Sequence, residues 1–460
     1  MTTEKVISDC LVILESIKED NSIESYQYRD HTPQNMQIND KSTIIIDVNT
    51  TNTYILPSDS YLIIQGQLRK NIANHDAYNA ADEVALVNNA MMYLFKEISY
   101  SINDTEMERI VNPGQTTSIF GYLKYPDDFS TSSALGICWS KDTTNHANSS
   151  KYEASAAVTK DGIAAGALTP RENSEYNQGF AARKSLLMSA DPRGSFEFAI
   201  PFSHIFGFAE YNKVIWGMKH TLRITPHPTD NLAIHKGAGV ADGEVILKKV
   251  SWSIPDVKIE PVTLTKLRSV MESKQPIPVA FRARTTQSIS IPRDSTQFDW
   301  RLSVPGGVEK PRWIIVGFQT DKNTTQEQNP AVFDNLSLSN FYLELNSKRY
   351  PTYDISVNFA TNSYSKLYNM FNNFKNEYYG FDSLVGGTQV NFSTFKTLYP
   401  IIVFDVRKQD EELKSGVVDI QLTFKFNQAV PANTMAYACI VSDRMFKFQP
   451  DGTNITVKSY

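Results

Sequence analysis

The sequence predicts an all-β fold: two tandem antiparallel β-sandwich units joined by a connector, with a few short helices. Three observations predict it. From Thr43 onward, apolar and polar residues alternate with period two in short runs, as at Ile98, Tyr100 and Ile102, which is the pattern of strands with one buried face. The aromatic residues, 5 Trp, 22 Tyr and 25 Phe, fall largely beside Val, Ile and Thr, a composition suited to pleated, half-buried surfaces. An ordered set of elements in the first half of the chain recurs in the second.

Residues 4–17 come first and depart from the pattern. Val6, Ile7, Cys10, Leu11, Ile13, Leu14 and Ile17 recur at spacings of three and four, which predicts a short helix with one apolar face. A polar stretch, Glu19–Lys41, separates it from the first strand. Fully extended at about 3.3 Å per residue, that stretch reaches on the order of 70 Å. The helix therefore has two destinations, its own domain or a neighbouring subunit. The reading adopted is an arm over residues 1–41 that ties subunits together, with Val6, Cys10, Leu11, Leu14 and Ile17 as its assembly stripe.

Strands are expected at Thr43–Val48, Tyr61–Leu68, Phe196–Ile200, Val214–Ile224 and Val245–Ile254, which places a first sandwich over residues 42–260. Within it, Asp142–Arg193 is rich in Ala, Ser, Thr, Asn and Gly and poor in large apolar residues, and reads as a long surface excursion. Leu264, Leu267, Val270 and Met271 at helical spacing, followed by Pro276 and Pro278, mark a connector over 261–278. Strand-like runs resume at Val279–Ile291 and continue to the end, so the second sandwich covers 279–460.

The repeat lies in order rather than identity. Ile98, Tyr100 and Ile102 lead to Asn103 and Asp104, and a helix carrying Ile119, Phe120 and Leu123 follows. Phe341, Leu343 and Leu345 lead to Asn346, and a helix carrying Tyr364, Leu367, Tyr368, Phe371 and Phe374 follows, stopped by Gly380. After each helix a proline stands beside an aromatic run, AIPFSHIFGF and then LYPIIVFDV, and a long alternating strand comes next. Antiparallel strands at short spacing with one brief helix inside each unit fit a jelly roll, present twice.

No catalytic signature accompanies this pattern. Phosphate-loop, H-E-x-x-H, G-x-S-x-G and EF-hand motifs are absent, and Gly237, Gly239 and Gly243 in HKGAGVADGE read as a turn. His220, His227 and His235 are spaced by seven and eight, which matches no metal motif, so no metal or cofactor is expected. Cys10, Cys138 and Cys439 are far apart and odd in number, the usage of free thiols in a reducing compartment. A net charge of −5 gives no overall footprint for phosphate backbones, and no sequence-specific nucleic-acid binding is expected. The short basic clusters Arg282/Arg284 and Lys348/Arg349 read as a strand edge or a subunit contact. The N-terminus lacks the features of a signal peptide and no apolar run is long enough for a membrane span, which suggests a protein made soluble inside the cell.

Several long segments carry a resemblance: FAIPFSHIFGFAEYNKVIWGMKHTLRI, VAFRARTTQSISIPRDSTQFDWRLSVPGGVEKPRWIIVGFQTDK, NFYLELNSKRYP, FKTLYPIIVFDVRKQ and FNQAVPANTMAYACIVSDR. Together they resemble the major capsid protein of Polinton (Maverick) and adintovirus-type double-stranded DNA elements, from about Ile44 to the C-terminus and most strongly in the second half. The resemblance implies a double jelly roll and a homotrimer of pseudo-hexameric outline. It also implies capsomers tiling an icosahedral shell in the virion, and a penton or minor capsid protein as a further partner. In such a shell the apolar stripe and the reach of its linker predict that the N-terminal arm lies on the inner face and ties capsomers to each other or to a minor capsid protein. Two other classes share the fold signature. A β-sandwich carbohydrate- or receptor-binding protein would expose aromatic and polar residues in a groove, and a jelly-roll enzyme would converge carboxylates or histidines in one pocket.

Overall fold

The computed structural model describes residues 22–34, 41–49, 53–153, 172–303, 310–380, 390–408, 418–451 and 454–459. The stripe Val6, Cys10, Leu11, Leu14 and Ile17 lies outside the described residues, as does the centre of the Ala/Ser-rich excursion.

The first half contains β1 (Ile23–His31), β2 (Ile44–Asn49), β3 (Tyr54–Ile55), β4 (Tyr61–Lys70), β5 (Val84–Leu86), α1 (Ala90–Tyr93), β6 (Phe95–Ile102) and β7 (Thr105–Val111). After these come α2 (Pro113–Lys124), α3 (Asp127–Thr131), α4 (Gln178–Ser189), β8 (Ser195–Pro201), α5 (Phe202–Ile205), β9 (Ile215–Trp216), β10 (Lys219–Pro226), β11 (Ile234–Lys236) and β12 (Gly243–Ile259). Helix α6 (Pro261–Glu272) leads out of it. Its Pro261 sits in the first turn, where a missing N–H costs nothing, and the Glu260 side chain accepts from the Thr263 N–H at 3.0 Å.

The second half contains β13 (Ile277–Ile291), β14 (Gln297–Leu302), β15 (Lys310–Thr320), β16 (Leu338–Leu345), β17 (Lys348–Tyr350) and α7 (Ser365–Tyr379). It closes with α8 (Phe392–Leu398), β18 (Ile402–Asp405), β19 (Ile420–Phe426), β20 (Thr434–Asp451) and β21 (Asn454–Ser459). As expected, α7 stops at Gly380, whose φ of 71° is the left-handed conformation a helix end needs.

Strand pairing shows the duplication directly. In the first half the sheets run β1-β12-β4-β8 and β2-β10-β6-β7, and in the second β13-β20-β15-β18 and β14-β19-β16-β17, every pairing antiparallel. Strand for strand the order is the same, and two four-stranded sheets closing on each other are a jelly roll. The short strands β3, β5, β9, β11 and β21 are additions at the margins. Equivalence extends to single side chains. Asn103 and Asp104 turn β6 into β7 with φ of 46° and 63°, and Asn346 and Ser347 turn β16 into β17 with 46° and 65°. Positive φ at both residues matches the turn to the strand twist, and Asn tolerates it. Each Asn then ties the hairpin to the next strand of its sheet. Asn103 donates its N–H to Lys219 O and accepts the Lys219 N–H on Oδ1, both at 2.8 Å, and Asn346 makes the same exchange with Asp419 at 3.0 and 2.8 Å.

Three expectations are corrected. Ile23–His31 is not linker but strand β1, paired from Ile23↔Ile259 to His31↔Trp252, so the first roll begins before residue 42. It is an edge strand whose side chains are mostly exposed on both faces, which removes the alternation that marks a strand in sequence. The flanks of the excursion are core rather than surface: Asp142 and Asn177 are fully buried, and α4 buries Phe180, Arg183, Lys184 and Leu187. The run Val214–Ile224 divides into β9 and β10 at Gly217, whose φ of 70° breaks the extended chain.

Candidate functional site at the junction between the rolls

The two hydrophobic cores are not confined to their own rolls. Ile119, Phe120, Tyr122 and Leu123 of α2 pack into the core of the second roll, and Val279, Phe281, Phe446 and Phe448 pack into the core of the first. Two buried polar networks cross the same junction.

Strand β7 places Glu108 inside the first network, fully buried, where Oε1 accepts the Arg284 N–H at 2.8 Å and Oε2 the Phe208 N–H at 2.9 Å. Burial pushes the Glu108 carboxyl up, against the opposing pull of the Arg284 charge and of the two N–H bonds. The Arg284 guanidinium donates to His204 O at 3.1 Å and lies 4.3 Å from the Phe120 ring centre. Beside it, Tyr378 donates its hydroxyl to Glu210 at 2.6 Å, and the Arg282 guanidinium lies 4.8 Å from the Tyr378 ring centre. Gly207 lets the backbones meet: a Cβ there would stand 1.9 Å from the Arg282 carbonyl oxygen.

The second network centres on Asp142 and Arg183, a buried ion pair at 2.6 Å. Asp142 Oδ2 also accepts from Asn329 at 2.9 Å, and its carbonyl accepts the Tyr399 hydroxyl at 2.8 Å, so both rolls hold it. Arg183 is completed by the carbonyls of Leu86 and Ser140. Tyr93 and Tyr122 donate their hydroxyls across the junction to Pro330 O and Ala331 O, each at 2.8 Å. A buried charge that loses its partner costs about 3–5 kcal/mol, so these networks favour one relative placement of the rolls.

Neither basic cluster forms a groove for nucleic acid. Arg284 is buried in the junction, Arg282 covers Trp313 and Tyr378, and Arg349 pairs with Asp354 over the Tyr342 ring, 4.0 Å from its centre. His204 is a core residue: Nδ1 lies 2.8 Å from the Tyr125 hydroxyl and Nε2 3.0 Å from Asn89 Oδ1. The Asn89 amide nitrogen is engaged with Thr117 and Ser118, so its oxygen accepts from His204 Nε2–H and the tautomer is fixed. Burial lowers His204 and His220 to about 3 and His235 to about 4. Among the described residues no three of His, Cys, Asp or Glu converge as metal ligands. Cys138 and Cys439 are buried, and their thiols are pushed up to about 11 and 12.

A cavity of about 410 Å³ beside α7 is lined by Trp313, Tyr350, Tyr353, Glu377 and Asp405. Its two carboxylates are engaged, Glu377 at 2.5 Å and Asp405 at 2.7 Å from Arg407 Nη2. Burial pushes Asp405 up, but the Arg407 hydrogen bonds outweigh it and hold the carboxyl below its usual range, which does not suit a general acid. The junction residues themselves were not legible as a site, because Glu108 and Arg284 carry no local motif and meet across 176 positions.

A double jelly roll-like domain model matches residues 163–446, more than half of the chain. The chain belongs to the double jelly roll-like family. Solved structures resemble it over nearly its full length. The cryo-EM structure of the Sputnik virophage matches with a TM-score of 0.59 and 11% identity, covering 100% of this chain and 93% of that one. The mavirus major capsid protein matches with 0.53 and 11%, over 98% and 93%, and the PBCV-1 virus capsid with 0.53 and 8%, over 96% and 98%. At these identities the likeness is one of fold. No curated protein matches the sequence. No helix among the described residues of this double jelly roll-like chain is long and apolar enough to cross a membrane.

Proposed function

We propose that the chain is a major capsid protein, a structural building block of an icosahedral shell around a double-stranded DNA genome. The observation that carries the reading is the duplicated roll fused through buried networks: one chain supplies two like units held in one orientation. Three such chains about a threefold axis give a six-cornered outline that tiles a surface. The named likenesses, a virophage, the mavirus major capsid protein and the PBCV-1 capsid, support the same reading. A six-cornered block does not fit a fivefold vertex, so shell closure calls for a separate penton or minor capsid protein. The role is structural, not enzymatic, and its place is the virion. Light scattering of the purified chain should give three copies of the 51.9 kDa chain, and electron microscopy should show pseudo-hexagonal particles or shells. A monomer whose mass does not change with concentration would sink the proposal.

A further inference from the structure

Helix α6 stands between the rolls with an uncovered apolar side. None of its residues is buried, and Val262 and Val270 are 62% and 48% exposed. Beneath it runs an apolar groove of about 100 Å³, floored by Tyr54 and Trp216 of the first roll and Phe448 and Ile455 of the second, with Leu267 and Val270 as its wall. An uncovered apolar side next to an apolar groove calls for an occupant.

We propose that residues 4–17 of the same chain fill this groove, lying antiparallel to α6. Ser22 stands beside the start of α6. The Ser22 carbonyl accepts the Glu260 N–H at 3.0 Å, one residue before α6, and Ile23 pairs with Ile259. Because β1 runs antiparallel to β12, the residues before Ser22 leave the sheet at the end where α6 departs from it. The lengths match: 14 residues of helix span about 21 Å and the 12 of α6 about 18 Å. Leu11, Leu14 and Ile17 recur at helical spacing, as do Leu264, Leu267 and Met271, apolar stripe against apolar stripe. The charges are complementary as well. Residues 1–21 carry Glu4, Asp9, Glu15, Glu19 and Asp20 against Lys5 and Lys18. Helix α6 offers Lys266 and Arg268 against the single Glu272 at its far end, neither cation in a salt bridge with another described residue, and Arg268 acts on Tyr54 at the groove.

This places the stripe Val6, Cys10, Leu11, Leu14 and Ile17 on its own protomer, as a clasp over a groove to which both rolls contribute. It holds whether or not the chain forms trimers. Cys10 is a native probe, since Cys138 and Cys439 are buried with raised pKa values and react slowly. In the full-length Val270→Cys variant, a short bismaleimide should join positions 10 and 270 within one chain, at unchanged mass on a denaturing gel. A product of doubled mass would mean that a neighbour's segment fills the groove, and no product from folded protein would mean that neither does. Either result overturns the proposal. An independent reading avoids the engineered cysteine: Leu267→Asp should speed maleimide labelling of Cys10 by about tenfold or more, the effect of uncovering one buried leucine. An unchanged rate would overturn the proposal as well.

Discussion

Glu108→Gln tests whether the junction, rather than the sheets alone, holds the two rolls together. The substitution keeps size and shape but replaces one carboxylate oxygen with an amide group. Both oxygens now accept, one from Phe208 N–H and one from Arg284 N–H, so the amide must point at one of these donors and leave it buried without a partner. That alone costs about 1–3 kcal/mol. The Arg284 guanidinium, 4% exposed, also loses a nearby negative charge, although its own bonds go to the His204 carbonyl and it makes no direct ion pair with Glu108. The two effects act on the same site and do not simply add, so about 1–3 kcal/mol is expected in total. Against a typical stability of about 5–15 kcal/mol this is a large fraction. Urea unfolding followed by tryptophan fluorescence and circular dichroism should show a lower midpoint and two separated transitions, because the loss falls on contacts between the rolls. Adding Arg284→Met should recover part of the loss, since no uncompensated charge then remains. A single transition within about 1 kcal/mol of wild type, or a double variant that loses the full sum of both singles, would refute the reasoning.

Acid should unfold the protein early. His204, His220 and His235 stay neutral in the fold down to about 3–4, whereas unfolded histidines protonate below about 6.5. The unfolded state therefore binds more protons, and stability, complete above pH 6.5, falls as pH drops toward 4, by about 1.4 kcal/mol per pH unit for each histidine. Equal thermal midpoints at pH 7.5 and 5 would count against these burials. Gly207→Ala should destabilise severely, because its Cβ would meet the Arg282 carbonyl oxygen at 1.9 Å and backbone cannot swing aside as a side chain can. A soluble variant with an unshifted melting temperature would show that the backbones do not approach so closely. Asn103→Ala and Asn346→Ala should each cost about 1–2 kcal/mol, from left-handed backbone alone, and by similar amounts, as equivalents in a repeat. Cost at one site and none at the other, measured by urea titration, would break the equivalence.

The duplicated order was legible because its signals are local. Alternation in β6 and β16, an asparagine directly after each and a glycine stop directly after α7 each lie within or next to the element they mark. Strand β1 was illegible for the opposite reason, since an exposed edge strand has no buried face to write into the sequence and its partner β12 lies more than 200 positions away. The excursion was misjudged at its flanks because composition counts Asp142 and Arg183 as polar, while the fold neutralises each with the other. In the sequence Arg284 is one of a short basic pair that fits a strand edge or a subunit contact. Its burial depends on a carboxylate 176 positions away and an aromatic ring on α2, and no window of sequence contains both.

The two rolls differ most where the repeat predicts likeness, at the helix that follows each hairpin. Helix α2 is buried along its whole length from Pro113 to Leu123, so tightly that a Cβ on Gly114 would stand 2.2 Å from the Tyr93 ring and one on Gly121 2.1 Å from Trp139. Its counterpart α7 fully buries only one stripe, Leu367, Phe371, Phe374, Lys375 and Tyr378, with Tyr368, Met370 and Tyr379 half-buried beside it and its other side exposed. The helices meet edge to face through Phe120 and Phe374, ring centres 6.2 Å apart. A duplicated unit joined to its copy cannot keep both helices equivalent, because one face must become an interface while the other stays outside. Helix α2 took the interface and with it the small residues that close packing requires. Glu108 enters the junction from β7, immediately before that helix, so a buried polar tie between the rolls stands beside the element at which their likeness ends.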